Sequence, residues 1–243
     1  NEGLSNTTSV QVFAVASISN ASQSNARIVS LATPLNFDSN NNCNYYPLAL
    51  STGSQNLIIG ISSATYNLGV PQPSYNTFFL AQSYTSTNTE AISINGATPS
   101  TFIKNFSTNF YVYKYGIGGQ ANANDSINSL MYGHIAEVLV YSNYFTTGQR
   151  QQVEGYLANK WGLASQLPTN HPYYAPSLGN FTIPKNITSY IYSPKYISGL
   201  ALWLDAADKT TFTFSSGCNI QVWKDQSTNN YTVNQTTVSN QPV

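Results

Sequence analysis

The chain has 243 residues, a formal net charge of zero and charged residues at 7% of its length, against roughly 25% in an ordinary soluble domain. Nucleic acid is therefore not an expected partner, because phosphate binding needs a clustered excess of Lys and Arg, and no apolar run reaches the ~20 residues of a membrane-spanning helix. Charge is replaced by 29 Asn, 30 Ser, 24 Thr and 18 Tyr, and a net charge near zero favours a protein packed in an assembly.

Strand patterns dominate the first half of the chain. Residues 9–18 alternate, with Val10 and Val12 on one face and Phe13 and Val15 on the other. Further strands are predicted at 26–32, 56–62, 76–83 and 90–95. The last of these is followed by Asn95-Gly96, a strong signal for a hairpin turn.

The middle of the chain carries two further strand signals. Residues 109–115 alternate cleanly and place Tyr111, Tyr113 and Tyr115 on one face. Residues 116–128 are predicted as loop. Residues 133–141 are apolar on both faces, which is typical of a central strand in a sheet that is covered on both sides.

One helix is predicted, at 147–161. Thr146 and Gln149 form a capping box at its start, apolar residues recur at helical spacing, and Gly162 ends it. A Pro-rich, Asn-rich and Tyr-rich strap follows, and strand signals return at 200–204, 210–214 and 219–223. One helix among many short strands predicts a β-sandwich with an appended helix.

Residues 133–163 closely resemble the closing segment of laminin G-like, concanavalin A-like jelly-roll domains, the lectin-glucanase class. In that family a Gly-x-Ile-Ala-Glu-Val strand leads to a helix that ends Tyr-Leu-x-x-Lys-Trp-Gly. The matching residues here are Gly133, Ile135, Ala136, Glu137, Val138, Tyr156, Leu157, Lys160, Trp161 and Gly162. The resemblance implies an all-β fold: an antiparallel jelly-roll β-sandwich with one appended α-helix at about 147–161.

Residues 198–227 resemble the opening segment of the same family, Leu-Trp-Leu-Asp-Ala-x-Asp followed by Trp-x-Asp-x-Ser-Gly-Asn-Gly. The matching residues here are Leu202, Trp203, Leu204, Asp205, Ala206, Asp208, Trp223, Asp225, Ser227 and Asn229. Thr228 and Asn230 replace the two glycines, and Thr tolerates a left-handed turn poorly. The opening strands therefore follow the closing helix in this chain.

This order predicts three segments. Residues 1–164 form a sandwich that lacks its usual opening strands, 165–196 form a linker or strap, and 197–243 carry the opening strands. The last segment completes this domain, a neighbouring copy or a following repeat. We expect a repeat-bearing or segment-exchanging protein rather than a self-closed one, as in tandem repeats of large DNA virus, phage and bacterial surface proteins. A sheet without those strands exposes an edge that something must cover.

Catalytic chemistry has little support. A retaining glycosidase needs two carboxylates about 5 Å apart, and no predicted strand carries such a pair. We expect Glu137 to be a structural carboxylate, bonded to backbone groups or paired with a cation such as Arg150. His134 and His171, the two histidines, have no recognisable acid or nucleophile partner in the sequence.

Two candidate sites remain, a calcium site that the resemblance suggests and a sugar site that residue type suggests. Domains of this kind often carry Ca²⁺, and Asp205, Asp208 and Asp225 are the acids in the matching region; turn capping by the same residues is the alternative. For sugar binding the candidates are the three tyrosines Tyr111, Tyr113 and Tyr115 with Asn122, although such a stripe is also typical of a sandwich interior. Cys43 and Cys218 form either a disulfide or two free thiols.

The function expected from these observations is a non-catalytic module on an extracellular or virion surface. The first interpretation of this function is structural assembly or adhesion, with copies of the protein itself or neighbouring repeats as partners. The alternative is a lectin-like domain that binds a cell-surface glycan, with Ca²⁺ as its only candidate cofactor. A glycoside hydrolase is a distant third. No membrane insertion is expected.

Overall fold

The computed structural model describes residues 4, 7–19, 26–32, 45–50, 56–61, 68–103, 112, 114–121, 127–176 and 192–243. Within them the chain forms sixteen strands and one α-helix, α1 (Thr147–Lys160). In chain order the strands are β1 (Ser9–Ile18), β2 (Arg27–Ala32), β3 (Tyr45–Leu50), β4 (Asn56–Ile61), β5 (Leu68–Pro71), β6 (Phe79–Ser86), β7 (Thr89–Ile94), β8 (Ser100–Ile103), β9 (Lys114–Ile117), β10 (Gln120–Ala121), β11 (Ile127–Asn128), β12 (Gly133–Tyr141), β13 (Leu200–Asp205), β14 (Phe212–Phe214), β15 (Ile220–Lys224) and β16 (Thr232–Asn234).

The strands build two large antiparallel sheets. The six-stranded sheet has the order β13-β12-β1-β6-β7-β8, and the five-stranded sheet has the order β5-β4-β3-β2-β9. The tail strands β14, β15 and β16 form a three-stranded sheet, and β10 pairs with β11. Together they form an antiparallel β-sandwich with a single helix in the described part of the chain, which confirms the predicted fold class.

One apolar cluster joins the two large sheets. In it, Val10 and Val12 of β1 meet Ile28 of β2, Leu48 of β3 and Ile59 of β4, all fully buried. Burying each such side chain contributes about 1.5–3 kcal/mol, so this cluster is the main source of the sandwich's stability.

A second cluster lies on the outer face of the six-stranded sheet, under α1. Phe13 of β1 and Leu139 of β12 pack there against Val153 and Leu157 of the helix. All ten residues of β1 are buried, because the five-stranded sheet covers one face and the helix side the other. The two-sided burial predicted for β12 from its sequence has the same origin.

The helix begins at the predicted capping box. Thr146 accepts from the Gln149 backbone N–H, and the Gln149 side chain accepts from the Thr146 backbone N–H at 3.0 Å. The helix ends at Lys160, one residue before the predicted end, and Gly162 follows with φ +72°. None of the described helices is long and apolar enough to span a bilayer.

The C-terminal tail lies beside the body of the same chain. β13 pairs antiparallel with β12 and forms an edge of the six-stranded sheet, with Leu202 opposite Val140 and Leu204 opposite Val138. Leu202 and Leu204 are fully buried in the intersheet cluster, against which Trp223 of β15 also packs. The prediction that residues 197–243 complete this domain, a neighbouring copy or a following repeat stays open among its three alternatives.

Several elements differ from the sequence expectation. The strand predicted at 76–83 lies at Phe79–Ser86, and six strands were not predicted: β3, β5, β8, β10, β11 and β16. Of these, β10 and β11 lie in the segment 116–128 that was predicted as loop. β3 contains Pro47, which weakens a strand signal, and all four residues of β8 are exposed, so they lack the apolar pattern of a buried strand. Of the predicted Tyr-rich strand, Lys114 and Tyr115 lie in β9.

Candidate functional site

Glu137 on β12 is the centre of a buried hydrogen-bond network. Its side chain is fully buried. Oε1 accepts from the Tyr156 hydroxyl at 2.8 Å and from the Trp203 indole N–H at 2.9 Å. Oε2 accepts from the Trp161 indole N–H at 2.7 Å and lies 2.8 Å from the Lys160 ammonium. Both oxygens are therefore saturated by donors from this chain.

Lys160 connects Glu137 to Asp205. Its Nζ lies 2.6 Å from Asp205 Oδ2, and Asp205 is the residue of β13 directly opposite Glu137 in the β12–β13 pairing. Burial raises the pKa of Glu137, and the Lys160 ion pair opposes that effect. The cation beside Glu137 is thus Lys160 and not Arg150, which the sequence had suggested, because Arg150 lies at the other end of the helix.

Glu154 forms a second buried ionic cluster. It accepts from Arg150 Nη1 at 2.5 Å, and its other oxygen lies 3.1 Å from His171 Nε2. His171 Nδ1 accepts from the Tyr173 backbone N–H, so Nε2 carries the proton that is donated to Glu154. Burial raises the pKa of Glu154, an effect that Arg150 opposes. The cluster fastens the segment after the helix onto α1.

His134 is also paired, with Ser17. Ser17 Oγ lies 3.3 Å from His134 Nδ1, but the Ser17 side chain is buried. Within the described chain, no carboxylate contacts His134, and the Glu154–His171 cluster includes no hydroxyl or thiol nucleophile. Neither histidine thus has the three-part arrangement of an acyl-transfer site.

The three predicted calcium ligands make hydrogen bonds and an ion pair within this chain. Asp225 Oδ1 accepts from the backbone N–H groups of Trp203 and Ser227, and its Oδ2 accepts from the Ser227 hydroxyl. Asp205 is paired with Lys160, and the half-buried Asp208 caps the short 3-10 helix at Lys209–Thr211. In the described part of the chain no three His, Cys, Asp or Glu side chains form a group that could hold a metal ion. Calcium binding by these residues stays a prediction.

Three of the four predicted sugar-binding residues lie outside the described residues, namely Tyr111, Tyr113 and Asn122. Tyr115 packs against the intersheet cluster with its ring 6.0 Å from that of Tyr231, and burial raises the pKa of its phenol. Its position is that of an interior residue. Cys218 is exposed, and Cys43 is also outside the described residues.

A cavity of about 340 Å³ opens at the end of the sandwich where β12 ends and β13 begins. Its wall combines segments that are distant in sequence: the start of β1, the loop between β12 and α1, the first turn of α1, and the residues before β13. Its polar and aromatic lining includes Ser9, Ser142, Asn143, Tyr144, Gln149 and Ser198. None of the described residues that line the cavity is charged.

Backbone contacts hold this wall together. The Ser142 N–H donates to the Gly199 carbonyl at 2.8 Å, and Asn143 Nδ2 donates to the Ser198 carbonyl at 3.0 Å. Gly199 has φ +84°, and a Cβ there would lie 2.6 Å from the Asn143 side chain. A glycine is therefore required where the tail joins the loop.

Tyr144 is the exposed aromatic group of the cavity, with 69% of its surface accessible. Its ring lies edge-on to that of Tyr84 on β6 at 5.2 Å, which holds it in place while leaving most of its surface in solvent. The site was not predicted from the sequence. The available signal was the Ser142–Phe145 run, which places polar and aromatic residues in a short loop between a buried strand and a capped helix.

Comparison with known proteins gives only weak similarity. No protein-family model and no curated protein matches the chain. Among solved structures, a heptameric SAP-like pentraxin from Limulus polyphemus is similar over 63% of this chain and 72% of its own, with 17% identity and a TM-score of 0.48.

Two further structures are similar at the same level. A carbohydrate binding protein from Bacteroides ovatus, named as putative, matches 90% of this chain with 14% identity and a TM-score of 0.46; this chain spans 49% of its length. The CBM40 of the Ruminococcus gnavus IT-sialidase matches 59% of this chain and 80% of its own, with 11% identity and a TM-score of 0.44. Similarity at this level does not assign the chain to a family.

Proposed function

We propose that this protein is a non-catalytic carbohydrate-recognition module whose ligand site is the cavity beside Tyr144. The observation that carries the proposal is the chemistry of the wall: hydroxyl and amide side chains around one exposed aromatic ring. Sugars present hydroxyl groups on their edges and C–H groups on their faces, which such a wall matches. The cavity volume also falls within the range of small-ligand sites, roughly 300–1,000 Å³.

Two observations support a binding role over hydrolysis. Neither Glu137 nor Glu154 lines the cavity, and both carboxylates already accept hydrogen bonds from side chains of this chain. Within the part of the chain that the structure describes, the cavity wall contains no carboxylate, whereas glycoside hydrolysis needs a pair of them.

The experiment is a glycan array probed with the full chain, followed by calorimetric titration of each hit and a product assay on the same sugars. We expect binding without turnover. An array without hits excludes the proposal, and released reducing sugar excludes the non-catalytic part of it.

The resemblance to laminin G-like, concanavalin A-like modules supports an extracellular or virion-surface location for such a domain. Calcium binding at Asp205, Asp208 and Asp225 is a separate proposal for a structural ion away from the sugar site. It predicts that CaCl₂ raises the thermal unfolding temperature and that Asp208→Asn reduces that rise. An unfolding temperature that changes with neither Ca²⁺ nor chelator excludes calcium binding at these residues.

Structural assembly is the second candidate function, and β8 favours it. This strand pairs with β7 and ends the six-stranded sheet among the described strands, and all four of its residues are exposed, Ile103 at 80%. An exposed edge is a template for pairing with another chain. Light scattering of the full chain and of Thr101→Lys, which places a charge on that edge, tests it: a multimer that Thr101→Lys converts to monomer supports assembly through β8, and a monomeric chain contradicts it.

A further inference from the structure

We infer that the cavity takes a neutral sugar residue, stacked on Tyr144, and that this binding needs no metal ion. The inference rests on the proposed function and narrows it to one class of glycan and one set of contacts. It follows from which polar atoms of the wall are already used within the chain and which are left for a ligand.

The two amide side chains of the wall have fixed orientations. Asn143 Nδ2 donates to the Ser198 carbonyl and to Ser198 Oγ, at 3.0 and 3.1 Å, so its amide cannot be turned around. Gln149 Oε1 accepts from the Thr146 backbone N–H at 3.0 Å and from its hydroxyl at 3.1 Å, which fixes the second amide in the same way.

Within the set Asn143, Tyr144, Gln149 and Ser198, these contacts leave one acceptor group and three donor groups for a ligand. Among the described residues, Asn143 Oδ1 and Gln149 Nε2 make no hydrogen bond, and the Ser198 hydroxyl accepts from Asn143 while its own proton is unused. The Tyr144 hydroxyl is the fourth group. A sugar hydroxyl donates and accepts at once, so a wall that offers both kinds of group is complementary to a polyol.

Among its described residues, the wall contains no charged group that would recognise a charged sugar. Carboxylate and sulfate groups are bound in proteins by Arg or Lys, and no described Arg or Lys lines the cavity. Calcium-mediated sugar binding needs carboxylate oxygens on the metal, and the described part of the wall supplies none. An anionic sugar would lose its hydration at this site without a charged partner, which disfavours it.

The site is completed by the C-terminal tail. Ile197 and Ser198 precede β13, and Ser198 supplies both the acceptor that orients Asn143 and one of the donors. The ligand site therefore exists only when β13 is docked beside β12. In this structure the same chain supplies both parts.

Two variants test the assignment of the site. Gln149→Glu keeps the capping box, because a Glu at this position accepts the Thr146 N–H equally well, but it replaces the Nε2 donor by an acceptor. We expect it to fold as stably as the parent and to bind a neutral sugar about tenfold more weakly. Tyr144→Ala should weaken binding by at least about tenfold through loss of the ring.

A matched control is available at the other end of β12. Tyr132 precedes that strand as Tyr144 follows it, with a similar exposed fraction of 63%, and it does not line the cavity. Tyr132→Ala should leave affinity unchanged. Circular dichroism melts of all three variants show whether each is folded, and Tyr144→Phe, which keeps the ring, should retain binding.

The deciding measurement compares neutral oligosaccharides with sialylated and sulfated ones by calorimetry, with and without EDTA and at 50 and 500 mM NaCl. We expect neutral ligands to bind with affinities that change less than about twofold with either condition. Binding restricted to anionic glycans, or abolished by EDTA, overturns the inference while leaving the proposed function intact. Neutral binding unaffected by Gln149→Glu and Tyr144→Ala overturns the site assignment, and an absence of all glycan binding overturns both.

Discussion

The indole N–H of Trp203 donates to Glu137 Oε1 over 2.9 Å, although the two residues are 66 positions apart and lie on adjacent strands, β13 and β12. This bond joins the tail to the helix side of the body, since Trp161 and Lys160 of the helix end contact the same carboxylate. Residues of the two segments that resemble laminin G-like domains, 133–163 and 198–227, thus meet in one hydrogen-bond network. Their chemistry is structural, because every donor and acceptor is satisfied within it.

Lys160→Met should destabilise the protein by about 3–5 kcal/mol, because it leaves two buried carboxylates, Glu137 and Asp205, opposite each other without a cation. Urea unfolding measures the loss. Lys209→Met is the control, since Lys209 is exposed, and it should change stability by less than about 0.5 kcal/mol. Equal effects of the two substitutions would contradict the role assigned to the network.

The free energy of unfolding should fall as the pH rises above 4.5, which is the ordinary pKa of Glu137 and Glu154 in the unfolded chain. Burial raises the pKa of both side chains in the folded state, so the folded chain binds these protons more tightly than the unfolded chain. The stability that this difference contributes is lost as the pH rises through the folded-state pKa of each group. Unfolding free energies measured from pH 4 to 8 test this. Glu154→Gln should flatten the slope, and a parent curve that rises throughout that range contradicts the prediction.

Gly155→Ala should destabilise the protein although alanine favours helices. A Cβ at Gly155 would lie 2.3 Å from the ring of Tyr173, which must move and loosen the His171 contact beside it. We expect a loss of about 1–3 kcal/mol from this overpacking. Gly148→Ala in the same helix meets nothing within 4 Å and should be neutral or stabilise by up to about 1 kcal/mol. A stabilised Gly155→Ala variant would be incompatible with the packing of Tyr173.

Leu202→Ala should lower the stability of the whole chain by about 2–5 kcal/mol, because Leu202 is fully buried between the sheets. If residues 197–243 complete the domain formed by the body, unfolding follows one transition and the substitution shifts all of it. Tryptophan fluorescence and far-UV circular dichroism should then give the same midpoint. Two transitions, with only one displaced, would instead indicate an independently folded tail.

The sequence by itself determined the local elements with strong, self-contained signals. The strand at Ser9–Ile18, the strand at Gly133–Tyr141 and the helix after Thr146 were predictable, because alternation, two-sided apolarity and a capping box are written in neighbouring residues. Strands with weak patterns, such as exposed β8, were not. The sandwich class also followed, since one helix among many short strands has few other ways to bury its apolar faces.

Only the tertiary structure decided which distant residues meet. Lys160 rather than Arg150 accompanies Glu137, because the helix lies with its C-terminal end over β12, a matter of packing direction that spacing does not encode. The cavity beside Tyr144 is built from the start of β1, the β12–α1 loop and the residues before β13, which come together only when the tail strand docks. A site made by strand pairing across more than a hundred residues leaves no compact motif in the chain, because hydrogen bonds between backbones specify register without requiring particular side chains.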